Sequence, residues 1–525
     1  MSQPNILIIQ ADQAAAQWLP IYGHSVVKMP HLSALARQGV VFENAYCNSP
    51  LCAPSRFSMM SGQLPSQIGA YDNAAEFPSS IPCFTHHLRA LGYHTILSGK
   101  MHFVGPDQLH GFEERLTTDV YPADFTWTPD WRHAARMLEW YHTMHSVVTA
   151  SPCAASMDID FDDDVAFQAE RKIRSLVRDN DERPFCLFVS FTHPHDPYIM
   201  TQEYWDRYTD EEIDMPIVPP LPLHQLDQHS QRLWLMCASD EFEINEQHIR
   251  NARHGYYAAL SYIDDKIGQL VAALKATDQY ENTVIIFTAD HGDMLGERGL
   301  WYKMSMFDGS ARIPLVFHAP KYFTPCQVES VVSLVDLMPT LVDLANPGAR
   351  ARSELKSDGH SLLPILKGST LQSEDVAYVE YLAEGIGSPH LMIRRGQFKY
   401  IFTEGDPELL FDMQNDPSEL VNLAGNPQYA QQLAQFRVEQ SQRWNVDELT
   451  QQVIASQQQR HLVAKALATG TIKAWDYQPF SDASQQYIRN HKEFWELLRL
   501  SRYPGIEQPK PVKQIKRDRS SAKAE

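Results

Sequence analysis

What the chain has little of narrows the field first. It contains no apolar run of about 18 residues, so nothing in it reads as a membrane-spanning helix. The start, MSQPNILIIQADQ, lacks a basic segment followed by a long apolar stretch, so no secretory signal is read there and a cytoplasmic location is the expectation. Basic charge is scarce: 45 Lys and Arg against 65 Asp and Glu leave a net charge of −20. Nucleic acid is thereby disfavoured as the main partner, because a phosphate backbone calls for clustered Lys and Arg. Cysteine is sparse too, with seven residues, irregularly spaced and without a CxxC pair. That suits reduced thiols better than a disulfide framework. No internal repeat is evident.

What is present describes a globular protein. A chain of 525 residues is too long for one ordinary core, so a large domain with a smaller companion is expected. The first two thirds alternate short apolar runs with helical patterns, the mark of an α/β sheet. Strands are expected at 5–10, 40–45, 94–97, 185–191, 283–288 and 315–318, several of them near-continuous Ile, Val, Leu and Phe, as in strands covered on both faces. Helices are expected at 31–38, 85–91, 164–178, 252–275 and 334–344. The acidic run from Asp158 to Asp164 reads as capping and dipole compensation ahead of one of them rather than as a metal site. Residues 347–357 turn polar and suggest a boundary. Beyond it, 376–381, 391–395 and 398–402 look like a small antiparallel sheet, and a Gln-rich helix is expected over 429–456. The domains expected are 1–350 and 351–509, followed by a disordered basic tail at 510–525.

Two acidic residues sit just past strand ends, Asp12 after Asn-Ile-Leu-Ile-Ile-Gln and Asp290 after Thr-Val-Ile-Ile-Phe-Thr-Ala. Ligands bind at the carboxyl ends of strands in open α/β sheets. Two carboxylates meeting there would repel without a cation between them, and oxygen ligation favours a hard divalent ion such as Ca²⁺ or Mg²⁺.

The run from Cys52 to Gly62 has the form C-x-P-S-R-x-x-x-x-S-G, with Pro54, Ser55, Arg56, Ser61 and Gly62 all in place. It resembles the signature of type I, formylglycine-dependent sulfatases. The resemblance implies an alkaline-phosphatase-like α/β sandwich: a large, mostly parallel central sheet flanked by helices, with a smaller C-terminal domain and an extended tail. It implies that Cys52 is oxidised to a formylglycine by a formylglycine-generating enzyme. The hydrated aldehyde would attack sulfur and then expel sulfate through its second hydroxyl. It maps one metal ion, Ca²⁺ before Mg²⁺ or Mn²⁺, onto Asp12, Gln13, Cys52, Asp290 and His291. Gln13 stands where many members have a second Asp. Positive charge around an anionic sulfate falls to Arg56, Lys100, His102, His195 and Lys303, with His195 or Lys303 as general acid.

Longer stretches, 97–116, 117–130, 190–198, 290–301, Trp475–Pro479 and Tyr487–His491, resemble choline sulfatases in particular. The substrate implied is choline-O-sulfate. A quaternary ammonium has no hydrogen to donate, so its recognition calls for an aromatic face and a carboxylate. By position the resemblance assigns these to Trp127, His142 and Glu384. Members of the family also borrow an acidic residue from a neighbour's tail, which implies a dimer or tetramer. Here Trp495 stands at that place, flanked by Glu493 and Glu496. A phosphonate monoester or phosphodiester hydrolase of the same superfamily remains the alternative enzyme. A non-catalytic choline sulfate binder is the alternative if Cys52 stays a thiol.

Overall fold

The computed structural model describes residues 3–121, 123–134, 142–179, 181–346, 356–369 and 375–471. A nine-stranded sheet forms its centre, from β1 (Asn5–Ala11), β2 (Val40–Tyr46), β3 (His94–Gly99), β4 (Glu114–Arg115), β6 (Phe185–Phe191), β8 (Thr283–Thr288), β9 (Arg312–Ile313), β10 (Leu315–His318) and β11 (Cys326–Ser333). A separate two-stranded ribbon pairs β5 (Ser151–Cys153) with β7 (Ile199–Thr201). The order across the large sheet is β11-β2-β10-β8-β1-β6-β3-β4, with β9 pairing β2. The four strands β8, β1, β6 and β3 run parallel side by side. β10 is antiparallel to both its neighbours. Every residue of β3, β6 and β8 is buried, as the continuous apolar runs require of strands covered on both faces.

The covering helices are α1 (Pro30–Arg37), α2 (Cys52–Ser61), α3 (Phe84–Ala90), α4 (Met157–Leu176), α5 (Glu246–Ala276) and α6 (Leu337–Ala345). The Asn245 side chain caps α5 by accepting from the His248 N–H. Helix α2 begins at Cys52 and ends at Gly62 in the left-handed region. The acidic run lies inside α4 rather than ahead of it. The helix starts seven residues earlier than expected because Ser156 caps it, accepting from the Ile159 N–H at 3.2 Å. Asp158 and Asp160 fall in its first turn, where they compensate the dipole. Asp162 turns inward and accepts from the Thr192 and His193 N–H groups at 2.7 and 2.9 Å.

Toward the C-terminus, β12 (Val376–Tyr381), β13 (His390–Arg395), β14 (Phe398–Thr403) and β15 (Leu409–Asp412) form an antiparallel sheet in sequence order. The Gln-rich segment is two helices rather than one, α7 (Ala430–Arg443) and α8 (Val446–Leu467). The break falls where Trp444 donates its indole N–H to Glu380 at 2.6 Å and Asn445 caps α8 through the Glu448 N–H at 3.3 Å.

Candidate active site

The carboxyl ends of the four adjacent parallel strands deliver most of the site. β1 leads to Asp12 and Gln13, β3 to Lys100 and His102, β6 to His195, and β8 to Asp290 and His291. Gly99 makes the turn out of β3 workable. Its φ is +110°, and a Cβ there would lie 1.9 Å from the Ser190 carbonyl oxygen. Cys52 enters from the start of α2, where all ten residues are buried.

Asp12, Cys52, Asp290 and His291 form one cluster whose ligand atoms lie within 4.8 Å of one another. His291 Nε2 stands 3.3 Å from Cys52 Sγ, 3.9 Å from Asp12 Oδ1 and 3.7 Å from Asp290 Oδ2. Asp12 Oδ1 is buried without a hydrogen-bond partner among the described residues, a costly state for a carboxylate oxygen. Its position among a carboxylate, an imidazole and a thiol fits a divalent cation as its missing partner.

Arg56 ties the two carboxylates together. Its Nη2 donates to Asp12 Oδ2 and its Nε to Asp290 Oδ2, both at 2.8 Å. Its Nη1 donates to the Lys100 carbonyl at 2.6 Å and to Ser190 Oγ at 2.8 Å. With no exposed surface, the guanidinium serves the carboxylates rather than facing an open cavity. Removing one partner of such a buried set costs roughly 3–5 kcal/mol.

Lys100 forms an ion pair with Asp12 Oδ2, and its Nζ lies 3.8 Å from Cys52 Sγ and 4.3 Å above the Tyr121 ring. Burial alone would push Asp12 up, but Lys100 and Arg56 outweigh it and hold the carboxyl below its ordinary value. Burial also opposes ionisation of Cys52. Lys100, Lys303, His291 and His102 together hold its thiol well below the usual range. This corner is built to carry a negative charge at residue 52. Neither ring nitrogen of His102 has a well-formed hydrogen-bond partner among the described residues.

Gln13 is placed otherwise than as a simple cation ligand. Its Oε1 accepts from Lys303 Nζ at 2.8 Å, and its Nε2 donates to Asp293 Oδ2 at 2.7 Å. Lys303 Nζ also donates to His195 Nε2 at 2.6 Å, while His195 Nδ1 donates to the Asp196 carbonyl at 2.7 Å. His142 Nδ1 meets Asp196 Oδ2 at 3.2 Å, and its ring stacks on Tyr302. Burial holds His142 below its usual pKa.

Trp127 lies across from this cluster, its ring centroid 5.9 Å from that of His102 and 6.4 Å from that of Tyr121. Glu384 is buried, its Oε2 has no partner among the described residues, and burial pushes its carboxyl up to about 8. The structure thus brings together Asp12, Gln13, Cys52, Arg56, Lys100, His102, His195, Asp290, His291 and Lys303, with Trp127 and His142 beside them. Glu493, Trp495, Glu496 and the motifs at 475–479 and 487–491 lie outside the described residues.

Two organising carboxylates escaped the sequence reading. Asp293 accepts from Gln13, Tyr198 and the Leu295 and Tyr302 N–H groups. Asp119 accepts from the Met101 and His102 N–H groups and from Arg115, fixing the turn that presents Lys100 and His102. Asp293 was within reach as the last residue of Asp-His-Gly-Asp; Asp119 carries no local signal.

Comparison with known proteins places the chain among sulfatases. The sulfatase family model matches residues 4–347. The model for the choline sulfatase C terminal matches 451–503, starting inside α8, and that for the N-sulphoglucosamine sulphohydrolase C-terminal region matches 296–445. The choline-sulfatase of Rhizobium meliloti is 46% identical over 511 residues, covering 96% of this chain and 99% of that protein. The arylsulfatase K of Danio rerio is 30% identical over 444 residues, 80% of each. Among solved structures, the phosphonate monoester hydrolase of Agrobacterium radiobacter gives a TM-score of 0.65 at 24% identity, covering 83% of this chain and 94% of that one.

Proposed function

The chain belongs to the sulfatase family, and from that membership we propose that it hydrolyses choline-O-sulfate to choline and sulfate. The observation that carries this is the pairing of two opposite environments. A cationic corner surrounds residue 52, the Trp127 ring centroid stands 5.9 Å from that of His102 in the same corner, and the carboxyl of Glu384 is buried. An ester with a sulfate at one end and a quaternary ammonium at the other suits both. The similarity to a choline-sulfatase over nearly the whole chain supports the same reading.

A formylglycine hydrate at residue 52 would supply an oxygen nucleophile and a second hydroxyl, and a divalent cation would supply positive charge in the same corner. Asp12, Asp290 and His291, with Gln13 at the edge, are the residues that would hold the cation, and oxygen-rich ligation favours Ca²⁺. Lys100 and His102 take the anionic group of the substrate beside residue 52. Arg56 keeps the two carboxylates in place. Because His195 Nδ1 donates to Asp196, its Nε2 is an acceptor and shares a proton with Lys303 Nζ. The proton for the departing alcohol is therefore carried at Lys303 Nζ or, after transfer, at His195 Nε2. Trp127 and Glu384 hold the ammonium, and His142 lines the same side.

The reading also carries a maturation enzyme that oxidises Cys52, a cytoplasmic location and a homo-oligomer. The test is one preparation, with the mass of the residue-52 peptide measured, assayed on choline-O-sulfate, an aryl sulfate and a phosphodiester. The highest kcat/KM is expected for choline-O-sulfate. A higher value for the phosphodiester would overturn the assignment.

A further inference from the structure

Helix α8 turns one face toward the leaving-group side of the site. Gln457, Arg460, His461 and Ala464 share that face at spacings of three and four residues. Gln457 Oε1 accepts from the Trp131 N–H at 2.9 Å. His461 Nε2 donates to the Pro129 carbonyl at 3.0 Å. Ala464 packs on the small cluster of Val104, Ala123 and Phe125.

Arg460 makes the central contact. Its Nη1 and Nη2 grip Asp72 Oδ1 and Oδ2 at 2.6 and 2.7 Å, and Nη1 also reaches Thr128 Oγ1 at 3.4 Å. Arg460 and Asp72 are both buried. A buried ion pair is a poor source of stability compared with apolar packing, whereas its fork-to-fork geometry fixes direction well. The ends of this clamp are informative. Thr128 follows Trp127 directly. Trp131 donates its indole N–H to the Ala383 carbonyl at 2.6 Å, one residue before Glu384. Asn73, next to Asp72, accepts through Oδ1 from the Ala53 N–H at 2.9 Å, one residue after Cys52.

We propose that α8 sets leaving-group selectivity, with Arg460 as the positioning residue that holds the Trp127 loop at a fixed place relative to residue 52. The inference rests on the choline-O-sulfate reading above. Arg460 touches no reacting atom in this account. It acts through Asp72 and Thr128.

The test uses the full chain as Arg460→Gln and as the paired Arg460→Gln with Asp72→Asn, which removes both charges and guards against misfolding of the single variant. Rates are normalised to the fraction of residue 52 converted, and hydrogen exchange is followed over residues 123–134. In both variants kcat/KM for choline-O-sulfate should fall about tenfold, mostly through KM, while an aryl sulfate loses less than about threefold. Loop amides should exchange about tenfold faster. Equal losses on both substrates, unchanged loop exchange, or recovery of selectivity in the paired variant would overturn the proposal. Should the unaltered enzyme cleave the aryl sulfate and not choline-O-sulfate, the substrate reading fails. The exchange result alone then decides the clamp: faster exchange supports it and unchanged exchange overturns it.

Discussion

The two ends of the site are built differently. At the sulfate end, four neighbouring parallel strands stop at the same edge of the sheet and each hands over charged or polar side chains. Those side chains are buried, and most are locked by two or more hydrogen bonds, as Arg56 is by four. At the leaving-group end, Trp127 sits in a single 3-10 turn, half-buried, and Glu384 follows a strand of the smaller sheet. Contacts from α8 steady that end. In the reading proposed above, the sheet carries the chemistry and what is laid over it sets selectivity. An edge shared by four strands cannot shift one residue without disturbing the core, whereas a loop braced by a helix can change its occupant at little cost.

The contrast can be broken most severely at the sulfate end. Cys52→Ala should lower turnover of every sulfate ester by about 10⁴-fold or more while far-UV circular dichroism stays native. Residual turnover within tenfold of the parent would remove residue 52 from the mechanism. At the other end the effect should be smaller and selective. Trp127→Ala should cost choline-O-sulfate roughly 10- to 30-fold in kcat/KM and an aryl sulfate several-fold less, in line with about 2 kcal/mol for a desolvated cation–π contact. Equal losses would erase the distinction between the ends.

The smallest effect concerns Glu384, whose carboxyl is raised by burial to about 8 from an ordinary 4.5. Between those values the folded protein keeps a proton that the unfolded chain has released, so this group favours folding at low pH and that contribution is lost as pH rises through 8. In the reading proposed above, its ionisation supplies the charge that attracts the ammonium. The KM for choline-O-sulfate should therefore drop roughly threefold between pH 7 and 9. Glu384→Gln should abolish that step, and the aryl sulfate KM should lack it. A step that survives the substitution belongs to another group.

Much of the sheet could be read in advance because continuous Ile, Val and Phe runs mark strands buried on both faces, and β6, β8 and β10 fall where expected. β11 was missed since its outer half, Cys-Gln-Val-Glu, is mostly exposed and polar. Asp12 and Asp290 were legible because each lies within two residues of such a run, and Lys100 and His195 because they fall in the loops that follow β3 and β6. Asp72 and Arg460 were not, because residues 388 positions apart leave no shared pattern in one sequence. Gln13 was legible as a site residue but not in its bonding, which depends on where Lys303 and Asp293 arrive. The tail residues Glu493, Trp495 and Glu496 lie outside the described residues.

One detail of α2 bears on biosynthesis. Every residue from Cys52 to Ser61 is buried, and Cys52 is only 1% exposed. No second protein can grip that run in the folded chain, so any enzyme that alters residue 52 must meet it before the sheet closes. Folding then ends the opportunity. If residue 52 is converted as proposed above, the fraction of molecules that still carry sulfur there would be a frozen record of which event came first.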